Sequence, residues 1–138
     1  MVDSLRVLTK VDELDKYLAE LRSNFPKDAR GYQDQHLKRA AERELQLCIE
    51  TMIDICKKLV IGLRLGIPQE EEDVFLKLEK ANVLSPQTTM ILRKMRKMRN
   101  VLVHEYAQID DQKVLEVVLH HLGDFETFKA EVLAHLKK

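Results

Sequence analysis

The chain has 138 residues, 45 % of them apolar and only 5 % aromatic, with 4 Gly, 3 Pro and no Trp. Such a mix excludes a β-rich domain, which needs more turn residues and more aromatic or β-branched strands, and it points to helices around one core. Lys plus Arg balances Asp plus Glu at 23 each, so no single-sign field covers the surface, although a local basic patch for nucleic acid stays open.

The opening stretch MVDSLRVLTKVDELDKYLAELRS has no basic segment followed by an apolar run, so no secretory signal is expected. No stretch approaches 18 uninterrupted apolar residues, which predicts no membrane span and a cytoplasmic protein. A first helix is predicted from about Ser4 to Ser23, with Leu5, Leu8, Val11, Leu14, Leu18 and Leu21 at three- and four-residue steps. NFPKDARGY interrupts it, with Pro26 and Gly31 as punctuation. A long second helix is predicted from about Asp34 to Leu65, with Leu37, Ala41, Leu45, Cys48, Met52, Ile55, Leu59 and Leu63 as its stripe. LGIPQEEED ends it at Gly66 and Pro68.

A short third helix, about Glu70 to Ala81, carries Val74, Phe75 and Leu78. Ser85 then reads as an N-cap and Pro86 as the first residue of a fourth helix reaching about Gln108. Ile-Asp-Asp at 109–111 reads as a second cap, opening a fifth helix that runs to the C-terminus. Its stripe is Val114, Val117, Val118, Leu122, Phe125, Phe128, Val132 and Leu136. No repeat, low-complexity tract or domain boundary is visible. The expectation is an all-α, up-and-down bundle of four main helices plus a short one, a single domain over residues 1–138. Cys48 and Cys56 lie eight residues apart on the second helix, roughly 12 Å at helical rise, too far to bridge. They are expected to be buried thiols in a reducing compartment.

The stretch RNVLVHEY, residues 99–106, departs from this ordinary patterning. At about 100° per residue, Ile91, Met95, Met98, Leu102, Tyr106 and Ile109 share the core face. Arg93, Lys97, Asn100 and His104 fall together on another face, with Arg96 at its edge. Asn100 and His104 are one turn apart and can touch. Arg99 projects beside the apolar stripe, where a guanidinium is costly unless it is paired or faces a cleft. His104 points about 140° away from it, so one straight helix does not bring the two heads together. A second copy of the helix, related by a two-fold axis and using the Val101 and Val103 surface, would do so.

Taken singly, these residues have ordinary explanations. A helical His is usually at the surface, an Arg beside an apolar stripe usually snorkels, and a Tyr near the core is usually a packed ring. The run ILRKMRKMRN, however, sets Arg93, Lys94, Arg96, Lys97 and Arg99 within about two turns beside the histidine, a phosphate footprint in which Arg93, Arg96 and Lys97 are the candidate contacts. Metal chemistry is not expected. His120 and His121 are adjacent, and with His36, His104 and His135 they show no ligand spacing. There is no Gly-rich phosphate loop and no nucleophile elbow.

RNVLVHEY resembles the Arg-x4-His-x-Tyr motif of the HEPN superfamily, in its HepT-type branch. The likeness extends over most of the chain. ERELQLCIETMIDICKKLV is similar to that family's long second helix, FLKLEKANVLS to its short third, and MRKMRNVLVHEYAQID to its motif helix. The resemblance implies an endoribonuclease toxin of a type II or type VII-like toxin–antitoxin system, homodimeric, working without metal or cofactor at an interface cleft. Arg99 and His104 would be catalytic and Asn100 supporting. The partner would be an MntA-like nucleotidyltransferase antitoxin that adds AMP to the motif tyrosine, here Tyr106. Those residue types suit RNA, which carries its own 2′-hydroxyl nucleophile. Cleavage needs a base, an acid and a cation for the phosphorane, and would leave a 2′,3′-cyclic phosphate. The alternative is a non-catalytic HEPN module that binds nucleotide or the nucleotidyltransferase. A plain dimerisation domain comes third.

Overall fold

A computed structural model describes residues 3–24, 34–104 and 109–138, and among these the chain forms six helices and no strand. They are α1 (Ser4–Asn24), α2 (Gln35–Gly62), α3 (Glu71–Lys80), α4 (Pro86–His104), α5 (Asp111–His120) and α6 (Gly123–Leu136). The all-α class follows from the sequence as expected.

Four of the six helices, α1, α2, α4 and α5, start where a side chain takes up one of the first amide groups. Asp34 accepts the N–H groups of His36 at 2.9 Å and Leu37 at 3.3 Å, and Asp110 accepts that of Gln112 at 2.9 Å. Ser85 Oγ accepts the Thr88 N–H at 3.2 Å, so Ser85 and Pro86 open α4 as their spacing predicts. Two helices end in Schellman turns. At the end of α2 the Leu65 N–H reaches Val60 O at 3.1 Å and Arg64 adopts φ 54°. At the end of α3 the Val83 N–H reaches Leu78 O at 3.0 Å and Asn82 adopts φ 59°. This turn stops α2 at Gly62, short of the expected Leu65.

α2 is the central column, with α1, α3 and α4 packed on it. α1 runs antiparallel to it, as the pairs Lys10–Asp54 at 3.3 Å and Asn24–Glu44 at 3.4 Å show. Its core stripe holds Val11, Leu14, Leu18 and Leu21 as expected, with Val7 in place of Leu5 and Leu8. Leu5 and Leu8 are 74 % and 41 % exposed, because the three- and four-residue spacing of the buried positions continues back to Val7. Cys48 and Cys56 are buried free thiols. Burial pushes the Cys48 thiol up to about 12 and raises that of Cys56 further.

The expected fifth helix is two helices. His121 leaves helical geometry at φ −124°, ψ 10°, and α6 restarts at Gly123, a poor residue for a helix interior. The apolar stripe hides the break, since Val114, Val118, Leu122, Phe125, Phe128 and Val132 are all buried on both sides of it. The bend lets α6 dock on α1 through Lys129–Asp15 at 2.9 Å and Arg22–Glu126 at 3.2 Å. It also brings α6 against the start of α4.

Candidate active site on the fourth helix

α4 is fixed at both ends of its described length. At its start, Glu131 of α6 accepts the Ser85 N–H at 2.7 Å and the Thr88 hydroxyl, with Ser85 Oγ at 3.1 Å from the same carboxylate. Along its inner face, Thr88, Thr89, Leu92, Met95 and Leu102 are buried. Arg99 falls seven residues after Leu92 and so shares this face almost in line.

The cost of that position is met by a partner. Arg99, with its side chain 15 % exposed, donates from Nη2 to Glu71 Oε1 on the first turn of α3. Its Nε donates to Asn100 Oδ1 at 2.9 Å. Glu71 is itself shared, since Lys57 Nζ of α2 lies 3.4 Å from Oε2. The neighbouring Glu72 accepts from Arg93 Nε at 2.5 Å. Glu71, Glu72 and Asp73 thus serve α3 twice. They suit the positive end of its dipole, and two of them hold arginines of α4.

The remaining candidates are distributed around the helix. His104 is exposed in the last described turn of α4. Arg96 is half-buried and Lys97 exposed. Arg99 and His104 are not brought together by the single chain, as their separation in angle predicts. Tyr106, with Glu105, Ala107 and Gln108, lies outside the described residues, and so does the expected extension of α4 to Gln108. Beside the motif, a groove of about 410 Å³ between α4 and α5 has Met98, Val101 and Ile109 in its lining, with Lys94, Lys97 and Lys113 around them. Among the described residues, no three His, Cys, Asp or Glu side chains converge where they could hold a metal ion.

Glu71, Glu72 and Lys57 are absent from the expected site. The acidic run QEEED reads from sequence as the junction between a loop and the start of the third helix, with no site role. The signal was Arg99 itself, since a guanidinium beside a core stripe demands a carboxylate, and this run holds several at a helix start.

The ribonuclease HepT-like family model matches residues 14–132. The mRNA nuclease HepT of Shewanella oneidensis is 31 % identical over 122 residues, covering 88 % of this chain and 92 % of that protein. The tRNA nuclease HepT of Aphanizomenon flos-aquae is 24 % identical over 139 residues, covering 98 % and 92 %. A solved structure of a tri-AMPylated Shewanella oneidensis HEPN toxin in complex with MNT antitoxin superposes with a TM-score of 0.88 at 30 % identity, covering 97 % of this chain and 99 % of that one. With the motif arginine and histidine on one helix of the same all-α fold, the chain belongs to the ribonuclease HepT-like family, within the HEPN superfamily.

Proposed function

We propose that the chain is the endoribonuclease toxin of a toxin–antitoxin pair, cleaving RNA without a metal at a cleft between two copies. The observation that carries this reading is the state of Arg99. Its guanidinium is immobilised on one edge by Glu71 and Asn100, and three of its five N–H groups have no partner among the described residues. A preorganised cation of this kind suits the charge that develops on a pentacovalent phosphate. His104 stands exposed on the same helix, and imidazole exchanges protons near neutral pH.

In the dimer reading, the motif helices face each other across a two-fold axis. One His104 removes the 2′-hydroxyl proton as that oxygen attacks the adjacent phosphorus, and the other protonates the departing 5′-oxygen. Arg99 stabilises the non-bridging oxygens, and the products are a 2′,3′-cyclic phosphate and a 5′-hydroxyl. Asn100 has its carbonyl oxygen committed to Arg99, which leaves its amide N–H groups for a phosphate oxygen or the imidazole. Arg96 and Lys97, with Arg93 exchanging Glu72 for phosphate, guide the strand. The half-exposed Val103 and the apolar groove lining at Met98, Val101 and Ile109 supply surface for the second copy.

The antitoxin is proposed to be a nucleotidyltransferase that places AMP on Tyr106. Anionic bulk two residues from His104 blocks the cleft and cancels its field. The Shewanella oneidensis relative, tri-AMPylated and bound to MNT antitoxin, supports that partner. The chain is proposed to act in the cytoplasm, and no helix among its described residues is long and apolar enough to cross a membrane. The second reading, a non-catalytic binding module, draws on the same contact, since a guanidinium already bound to a carboxylate needs no substrate. Purified protein incubated with RNA in excess EDTA separates the two. Fragments with cyclic-phosphate ends support the nuclease. Intact RNA, or 5′-phosphate ends that require a divalent ion, rejects it.

A further inference from the structure

We infer that Glu71 is a positioning residue for Arg99, a carboxylate clamp that sets the plane of the guanidinium and leaves its outer edge open to a phosphate. The inference rests on the ribonuclease reading and assigns a task to a residue outside the motif. Glu71 lies 28 positions from Arg99 in sequence and arrives on a different helix. Both side chains are half-buried, at 24 % and 15 % exposed, so water screens the pair only in part.

Three features distinguish a clamp from an ordinary ion pair. The guanidinium is held at two points, Nη2 by Glu71 and Nε by Asn100, and two points on a planar group fix its rotation. The carboxylate is itself anchored, because Lys57 holds its second oxygen at 3.4 Å. The three groups together, two cations and one anion, keep a net positive charge facing the phosphate. The neighbouring Arg93–Glu72 pair, by contrast, is joined through Nε alone, at 2.5 Å.

The test uses the full chain with RNA as substrate. Glu71→Ala is expected to lower kcat about 10- to 100-fold, the range of a misplaced catalytic group, with KM within about threefold. Glu71→Gln keeps an acceptor oxygen and is expected to fall between that variant and wild type. Glu126→Ala, which breaks the α1–α6 pair with Arg22, is expected to leave kcat within about twofold. Unchanged or increased kcat in Glu71→Ala would overturn the clamp, the latter showing a carboxylate that competes with substrate. So would a loss of rate that merely follows the folded fraction in circular dichroism. The Arg99 Nε–H resonance gives a readout independent of turnover. It is expected to be resolved in wild type and averaged with the other arginines in Glu71→Ala, and an unaltered resonance overturns the proposal. If wild type cleaves no RNA, the ribonuclease reading falls and this resonance alone decides the clamp.

Discussion

Glu131 and Ser85 form the joint on which the motif helix turns. The carboxylate comes from 46 residues away, accepts the Ser85 N–H at 2.7 Å and also engages the Thr88 hydroxyl. It completes the cap that Ser85 begins and ties α6 to the first turn of α4. Thr88 is fully buried, so removing the carboxylate strands polar groups away from water. Glu131→Ala is expected to destabilise the fold by about 2 kcal/mol, and Glu131→Gln by less. Urea unfolding measures both. An unchanged midpoint for the alanine variant would show that the contact contributes nothing.

The two motif residues should fail differently. His104 is exposed and carries no core packing. His104→Ala is expected to abolish cleavage with unfolding and RNA affinity close to wild type. Arg99→Ala is expected to abolish cleavage and also to weaken RNA binding by about 10-fold, since a charge-assisted phosphate contact contributes on the order of 1.5 kcal/mol. Fluorescence anisotropy with a labelled RNA separates them. Equal affinities for the two variants would reject a phosphate role for Arg99.

Modification should depend on one hydroxyl. Tyr106→Phe keeps the ring and removes the hydroxyl proposed as the acceptor for AMP. The variant is expected to cleave RNA and to stay toxic when the nucleotidyltransferase is co-expressed. Mass spectrometry of wild type from co-expressing cells is expected to show Tyr106 carrying mass in AMP units. An unmodified Tyr106 in a fully silenced protein would leave simple occlusion by the antitoxin as the account of inhibition.

Glu42 makes stability depend on pH in a direction opposite to that of most carboxylates. Burial raises its pKa, Asp111 raises it further, and Lys38 and Arg39 act against the shift. An acid whose folded pKa is raised binds its proton more tightly in the native state. The contribution to stability is therefore present below the ordinary glutamate range and is lost as pH rises through the folded pKa. Glu42→Gln is expected to raise Tm at pH 7.5 by a few degrees, with the gain vanishing near pH 4 (about 1 kcal/mol moves Tm by roughly 4 °C at this size). A gain that is larger at pH 4 would reverse the assignment.

The sequence showed the helices and their starts because caps and periodicity are local. Ser85 with Pro86, and Asp110 before Asp111, announce α4 and α5 within four residues. The α5–α6 break escaped for the same reason, since Leu122 and Phe125 keep the apolar spacing while the backbone turns beneath it. Val7 lost to Leu5 because a valine and a leucine look equally apolar until the rest of the stripe fixes the angle. The site was half visible. Arg99 and His104 stand in one motif, but Glu71 meets Arg99 and Lys57 only after three helices pack, and no local pattern records that meeting.

Glu71 and Glu72 each occupy one edge of an arginine that the ribonuclease reading offers to RNA. They are resident counterions, covalently part of the chain they neutralise. Nucleic-acid binding is steeply salt-dependent because the partners shed condensed ions into solution, with log K falling by roughly 0.7 per phosphate neutralised on a single strand. A cation whose counterion cannot leave contributes little to that release. On the ribonuclease reading, Arg93 and Arg99 are therefore expected to stay nearly silent in the salt slope, with Lys94, Arg96 and Lys97 setting it. The affinity for RNA is then expected to vary gently with ionic strength, with the choice among polyanions passing from charge to the shape of the strand that reaches Arg99.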